Sequence, residues 1–218
     1  MDPLLIGGII LILFFLKAPL GGGDIPSDSN GKGSGPKKPS GSSKKFSTKI
    51  PDIGPDYCIV GDFAYKQEVV EKYYPYFAKY CDRYHVPIEV ALGVTWVESK
   101  FKASAFSNKG AAGIMQIMPS TWDTIGNNVN LVSNDRYDPE ANIQGGIWLL
   151  SALYKRWDGD WELAAAAYNG GSGTVKKYGG KFARLPEQIK RYVRAVAAAT
   201  SAFHFVAICI ENKGTSLL

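Results

Sequence analysis

The sequence predicts an all-α, mainly helical domain. Three observations carry that expectation. From about residue 46 onward, apolar residues recur at spacings of three and four; four candidate helices open on a proline; and no stretch of four to eight residues alternates as a strand.

Taken in order, the candidate helices cover residues 66–84, 87–101, 119–125, 139–157, 161–168 and 186–205. Pro75 inside the first predicts a kink or break, because proline removes an intrahelical hydrogen bond. Pro87, Pro119, Pro139 and Pro186 suit a first helical turn, where the missing N–H has no partner to lose. Asp138 and Asp160 stand where an N-cap belongs, and Gly170-Gly171 reads as a stop. Residues 195–210, AVAAATSAFHFVAICI, suit a buried terminal helix carrying a central His204, with a second membrane segment as the alternative.

Ahead of this domain lie two segments of different composition. Residues 4–16, LLIGGIILILFFL, are unbroken apolar sequence that extends toward Leu20 if Lys17 snorkels to the interface. An N-terminal apolar anchor helix, residues 1–20, is expected, with a signal peptide as the alternative. Asp2 stands where a signal peptide would carry positive charge. Residues 21–48 are Gly, Ser, Pro and Lys with almost nothing to bury, which predicts a flexible linker. The domain itself is expected at 49–207, followed by a tail at 208–218.

The net charge of +5 is concentrated in the tether, where residues 17–49 hold seven lysines against Asp24 and Asp28. The remainder is nearly neutral, so no groove tracking nucleic-acid phosphates is expected. Cys58, Cys81 and Cys209 follow neither a zinc nor a redox spacing, and buried free thiols are expected over a Cys58–Cys81 bridge. Asp158, Asp160 and Glu162 alternate like calcium ligands, but the glycine and distal glutamate of a twelve-residue calcium loop are lacking. Neither a metal nor a cofactor is expected. His85 and His204 have no Ser or Cys elbow near them, which weakens any histidine-activated nucleophile.

One carboxylate stands out. In TWVESKF, Glu98 would share a helical face with Ala91, Val94 and Thr95 and sit beneath Phe101. A carboxyl so placed loses solvation, which favours its protonated form and suits a general acid. Farther on, GAAGIMQIMPSTW offers glycines for close backbone approach, an adaptable Met115 and a Gln116 that can donate and accept, while Tyr168 and Asn169 fall at a helix end. That chemistry suits a sugar.

Four segments, in this order, resemble the lytic transglycosylases of the soluble type, a family with a lysozyme-like fold. They are ESKF from Glu98, SNKGAAGIMQIMP from Ser107, AAYNGG ending at Gly171, and PEQIKRYVRAV around Tyr192. Ile114 replaces the family's usual leucine, and Gly170-Gly171 replaces its commoner ending. The resemblance implies that Glu98 is the sole acid and base and that Tyr192 orients it. It places Ser107 near the reacting sugar, gives Gln116 and Asn169 glycan hydrogen bonds, and has Gly113, Met115 and Tyr168 lining the cleft. The implied partner is the glycan strand of peptidoglycan, cleaved without water to an anhydro sugar. The anchor and linker lie outside the resemblance; they point separately to a membrane reached through residues 4–20 and to virion or secretion-complex partners. A hydrolytic muramidase using Asp123 or Asp138 as a second carboxylate, and an inactive wall-binding module, are the competing expectations.

Overall fold

A computed structural model describes residues 63–215 as seven α-helices and one 3-10 turn. The expected anchor at 1–20, the linker at 21–48, the start of the domain and Cys58 lie outside the described residues. The helices are α1 (Phe63–Tyr84), α2 (Ile88–Ser99), α3 (Pro119–Asn128), α4 (Pro139–Arg156), α5 (Trp161–Gly170), α6 (Ser172–Lys177) and α7 (Glu187–Thr215), with the 3-10 turn at Phe182–Arg184. Among the described residues there is no strand, only isolated bridges pairing Phe106 with Ala112 and Ala112 with Ile117.

Burial follows composition. In α4 every residue from Ala141 to Ser151 is buried, and in α5 so is every residue from Leu163 to Gly170. A helix buried all round lies inside the fold. Against these two pack α1 on α4, α6 and α7 on α5, and α3 on α4, while α2 makes its most extensive contact with α7. Small residues permit the closest approaches. A side chain at Gly93 would stand 2.5 Å from the Thr200 hydroxyl across the α2–α7 seam, and one at Gly146 would meet the Met115 sulfur. Phe77 of α1, Phe101 and Phe203 of α7 meet edge to face, with ring centroids 6.1 and 5.5 Å apart. Edge-to-face pairs of this kind add to the stabilisation from buried area alone.

The caps at Asp138 and Asp160 form as expected: Asp138 accepts from the Ala141 N–H, and Asp160 from those of Glu162 and Leu163. α1 runs through Pro75 as one element rather than breaking there, with Tyr73, Tyr74 and Phe77 buried around it while Pro75 faces solvent. Three expectations are corrected. α2 stops at Ser99 rather than at 101, because Lys100 and Phe101 both adopt left-handed backbone, with φ of 54° and 62°. α7 continues through Thr215, so most of the expected tail is helix. His204 is exposed, 3.8 Å from Glu89, while Val196, Ala199, Phe203 and Ala207 form the buried stripe of α7. No helix among the described residues is long and apolar enough to cross a membrane. Cys81 is a free, buried thiol whose ionisation is strongly opposed by its apolar surroundings.

Candidate active site

Glu98 occupies the last turn of α2, just before the left-handed pair that ends the helix. A left-handed conformation is uncommon for any residue other than glycine, and for an aromatic one it is an outlier. Here the Phe101 ring, 2% exposed, is held between α1 and α7, and packing keeps the turn in place. As a result Phe101 does not share a helical face with Glu98. The carboxyl is half-buried rather than enclosed, at the edge of a helix whose residues Ala91, Leu92 and Val94 are wholly buried.

The Tyr192 hydroxyl, brought by α7, donates to Glu98 Oε1 at 2.9 Å. Tyr192 is 2% exposed, and burial first, then the negative charge of Glu98, push its ionisation well above the usual tyrosine range. Its neutral, hydrogen-bond-donating form is thereby favoured. The Tyr168 hydroxyl donates to the Met115 carbonyl at 2.9 Å, and its ionisation is likewise opposed by burial and then by the charge of Glu98. Of the two tyrosines, Tyr192 of α7 meets the carboxyl directly, and Tyr168 of α5 is held on the Met115 carbonyl.

The glycine-rich turn between α2 and α3 is tied to the end of α2 by the Ser99–Ile114 hydrogen bond. Gly113 has φ of +81°, and a Cβ there would stand 2.3 Å from the Asn142 amide and 2.4 Å from the Arg136 carbonyl, so only glycine fits. Ser107 is half-buried, and its hydroxyl oxygen accepts from the Ala111 N–H at 3.0 Å. Gln116 is 6% exposed, and its amide nitrogen donates to the carbonyls of Ala105 and Gly113, both at 2.9 Å. Both of its amide protons are spent within the turn. Met115 is wholly buried against Gly146, and its link to the site is the carbonyl that Tyr168 holds. The absence of a Cβ at Gly146 leaves a space in α4, and the Met115 thioether fills it. Tyr168 is 4% exposed and works from beneath the surface. Asn169, at the end of α5, has a buried amide nitrogen with no hydrogen-bond partner among the described residues.

Two contributors were not anticipated. The Ser99 hydroxyl, one residue after Glu98, donates to the Ile114 carbonyl at 2.5 Å and ties the end of α2 to the glycine-rich turn. Asn142, wholly buried in α4, hydrogen-bonds that turn from the other side. Ser99 lies inside the ESKF segment and Asn142 is one of several polar residues in a largely buried helix, but neither position by itself names its backbone partner. Asp138 serves as the N-cap of α4, Asp123 is exposed on α3, and no cluster of metal-ligating side chains occurs among the described residues.

The family model for the transglycosylase SLT domain matches residues 75–203, more than half of the chain. Membrane-bound lytic murein transglycosylase D of Escherichia coli (strain K12) is 35% identical over 139 residues, covering 59% of this chain and 30% of that protein. The peptidoglycan transglycosylase gp16 of Escherichia phage T7 is 33% identical over 137 residues, 60% of this chain and 10% of its own length. Among solved structures, the 70-kDa soluble lytic transglycosylase of Escherichia coli aligns with a TM-score of 0.54 at 28% identity, over 61% of this chain and 24% of that one. The chain spans less than a third of each of these relatives. The matched region runs from the middle of α1 into α7 and contains Glu98, the glycine-rich turn and both tyrosines, and on that match the chain belongs to the transglycosylase SLT domain family.

Proposed function

We propose that the chain is a peptidoglycan lytic transglycosylase that cleaves the bond between N-acetylmuramic acid and N-acetylglucosamine and leaves a 1,6-anhydromuramic end. The observation that carries this reading is the Tyr192 hydroxyl on the Glu98 carboxyl at 2.9 Å, since binding alone needs neither an oriented acid nor its orienter. Glu98 gives its proton to the departing glycosidic oxygen while the substrate's own acetamido group assists at the anomeric carbon. The resulting carboxylate then takes the proton of the C6 hydroxyl as that oxygen closes onto the anomeric carbon. One carboxyl serves both transfers, whereas most glycosidases use two. Asn169 supports glycan binding with an amide donor that lacks a partner among the described residues, and Ser107 lies in the same glycine-rich turn as Gly113 and Gln116.

The test is mass spectrometry of peptidoglycan digested in heavy-oxygen water. A transglycosylase yields muropeptides one water lighter than the hydrolysis products, with no label; incorporation of label at the new sugar terminus would make the enzyme a muramidase instead. We further propose that residues 4–20 hold the domain at the wall side of a membrane, in a cell envelope or a virion. This rests on the apolar run itself and on relatives that include a membrane-bound murein transglycosylase and a phage peptidoglycan transglycosylase. Partition of the full chain with vesicles, lost when 4–20 are removed, is the expected result. Partition that survives the deletion overturns it.

A further inference from the structure

We infer that Asn142, which none of the four motif segments contains, is a positioning residue for Glu98, holding the glycine-rich turn in the register that fixes the carboxyl; this rests on the proton-transfer role proposed for Glu98. Asn142 is wholly buried in the first turns of α4, and its carboxamide meets three backbone groups. Oδ1 accepts from the Met115 N–H at 2.7 Å, and Nδ2 donates to the carbonyls of Ala112 at 3.2 Å and Arg136 at 2.8 Å. A set of one buried N–H, one buried carbonyl and one part-buried carbonyl is matched by a group with one acceptor and two donor hydrogens, which is a carboxamide. A carboxylate would face two carbonyl oxygens, and an apolar side chain would leave three backbone groups without partners.

The turn so held reaches the acid by two routes. The Ile114 carbonyl takes the Ser99 hydroxyl, one residue from Glu98, and the Met115 carbonyl takes the hydroxyl of Tyr168, which lies within the electrostatic reach of Glu98. Asn142 binds the residue on each side of the Gly113–Ile114 pair, and Gly113 lies so close that a Cβ there would overlap the amide. A shift of this turn against α4 therefore moves both struts at once.

Gln144 supplies an internal comparison. It is 1% exposed, lies two residues farther along α4, and uses the same carboxamide chemistry on different backbone, accepting from the Val132 N–H and donating to the Asn130 carbonyl, both at 3.0 Å. The experiment makes Asn142→Asp, Asn142→Ser and Gln144→Glu in the full chain. It measures thermal unfolding, product release from purified peptidoglycan per folded molecule, and co-sedimentation with that peptidoglycan. All three variants are expected to unfold at lower temperature. Only the Asn142 variants should lose turnover, by about tenfold to a hundredfold as expected when reacting groups are displaced by an ångström or less, with co-sedimentation unchanged. Turnover in Gln144→Glu should stay at the wild-type level. Equal losses at both positions, wild-type turnover in the Asn142 variants, or Asn142 variants that fail to fold in the cold would assign the residue to general stability and overturn the inference. A wild-type chain that releases no product at all would sink the transglycosylase reading itself.

Discussion

Glu98→Gln keeps the side chain's shape and an oxygen for the Tyr192 hydroxyl, but it can neither give nor take the proton that cleavage requires. Cleavage should fall to background while glycan still binds, which co-sedimentation with sacculi measures directly. Tyr192→Phe removes only the hydroxyl 2.9 Å from Oε1. General acid–base groups contribute roughly 10²–10⁴-fold, and losing the orienting donor should cost about one to two of those decades in turnover, with binding unchanged. A variant that weakens binding and leaves turnover intact would show that Tyr192 holds substrate instead.

At the level of helices, the relation between Glu98 and Tyr192 is set by the α2–α7 seam. In Gly93→Ala, the new methyl would stand 2.5 Å from the Thr200 hydroxyl oxygen and 2.8 Å from its backbone nitrogen. Backbone cannot step aside as a side-chain tip can, so the helices must separate. A loss of about 1–3 kcal/mol is expected from such overpacking, accompanied by a fall in turnover, because Glu98 and Tyr192 ride on the two helices being pushed apart. The matched control is Gly126→Ala in α3, where a Cβ would meet nothing within 4 Å. That change should stabilise the protein by about 0.5–1 kcal/mol through helix propensity, with activity unaltered. Chemical denaturation of the two variants beside the wild type distinguishes the outcomes.

Across the whole molecule, α1 and α4 are joined by Glu140, which accepts from Lys79 and from the Tyr80 hydroxyl, both at 2.8 Å. The Lys79 hydrogen bond first, and the Tyr80 one second, hold the Glu140 carboxyl below its usual range. A carboxyl depressed in the folded state stabilises the fold above its unfolded pKa, and that contribution fades as pH falls through the folded value. The lysine is exposed to solvent, so the effect is small and screened by salt. Glu140→Gln should therefore lower the melting temperature slightly at neutral pH in dilute buffer, and not at all well below the carboxylate range. A deficit that persists in acid would show that packing, not charge, joins the helices there. A chain beginning at residue 49 should melt at the same temperature as the full chain and retain its activity on peptidoglycan, since the family match begins only at residue 75.

The sequence alone determined the helical class, the starts of α3, α4 and α5, and which carboxylate and tyrosine to look for, Glu98 and Tyr192, which the structure brings within hydrogen-bond distance. Each of these is written locally: proline and aspartate mark helix starts by their own backbone chemistry, and the motif residues stand in a fixed order along the chain. It did not show α6, which is six residues long and opens on Ser172-Gly173, nor the end of α7, whose polar last residues read as a tail. Only the tertiary structure decided that α2 ends at Ser99, because the left-handed Lys100-Phe101 turn is held by aromatic rings from α1 and α7. Packing likewise places the Met115 thioether in the space left at Gly146 and the Gln116 amide nitrogen on two carbonyls of its own turn. The bonds from Ser99 to Ile114 and from Asn142 to Met115 join residues 15 and 27 positions apart. A buried polar side chain finds its partner through the path of the folded backbone, and no spacing or periodicity in a single chain encodes that path.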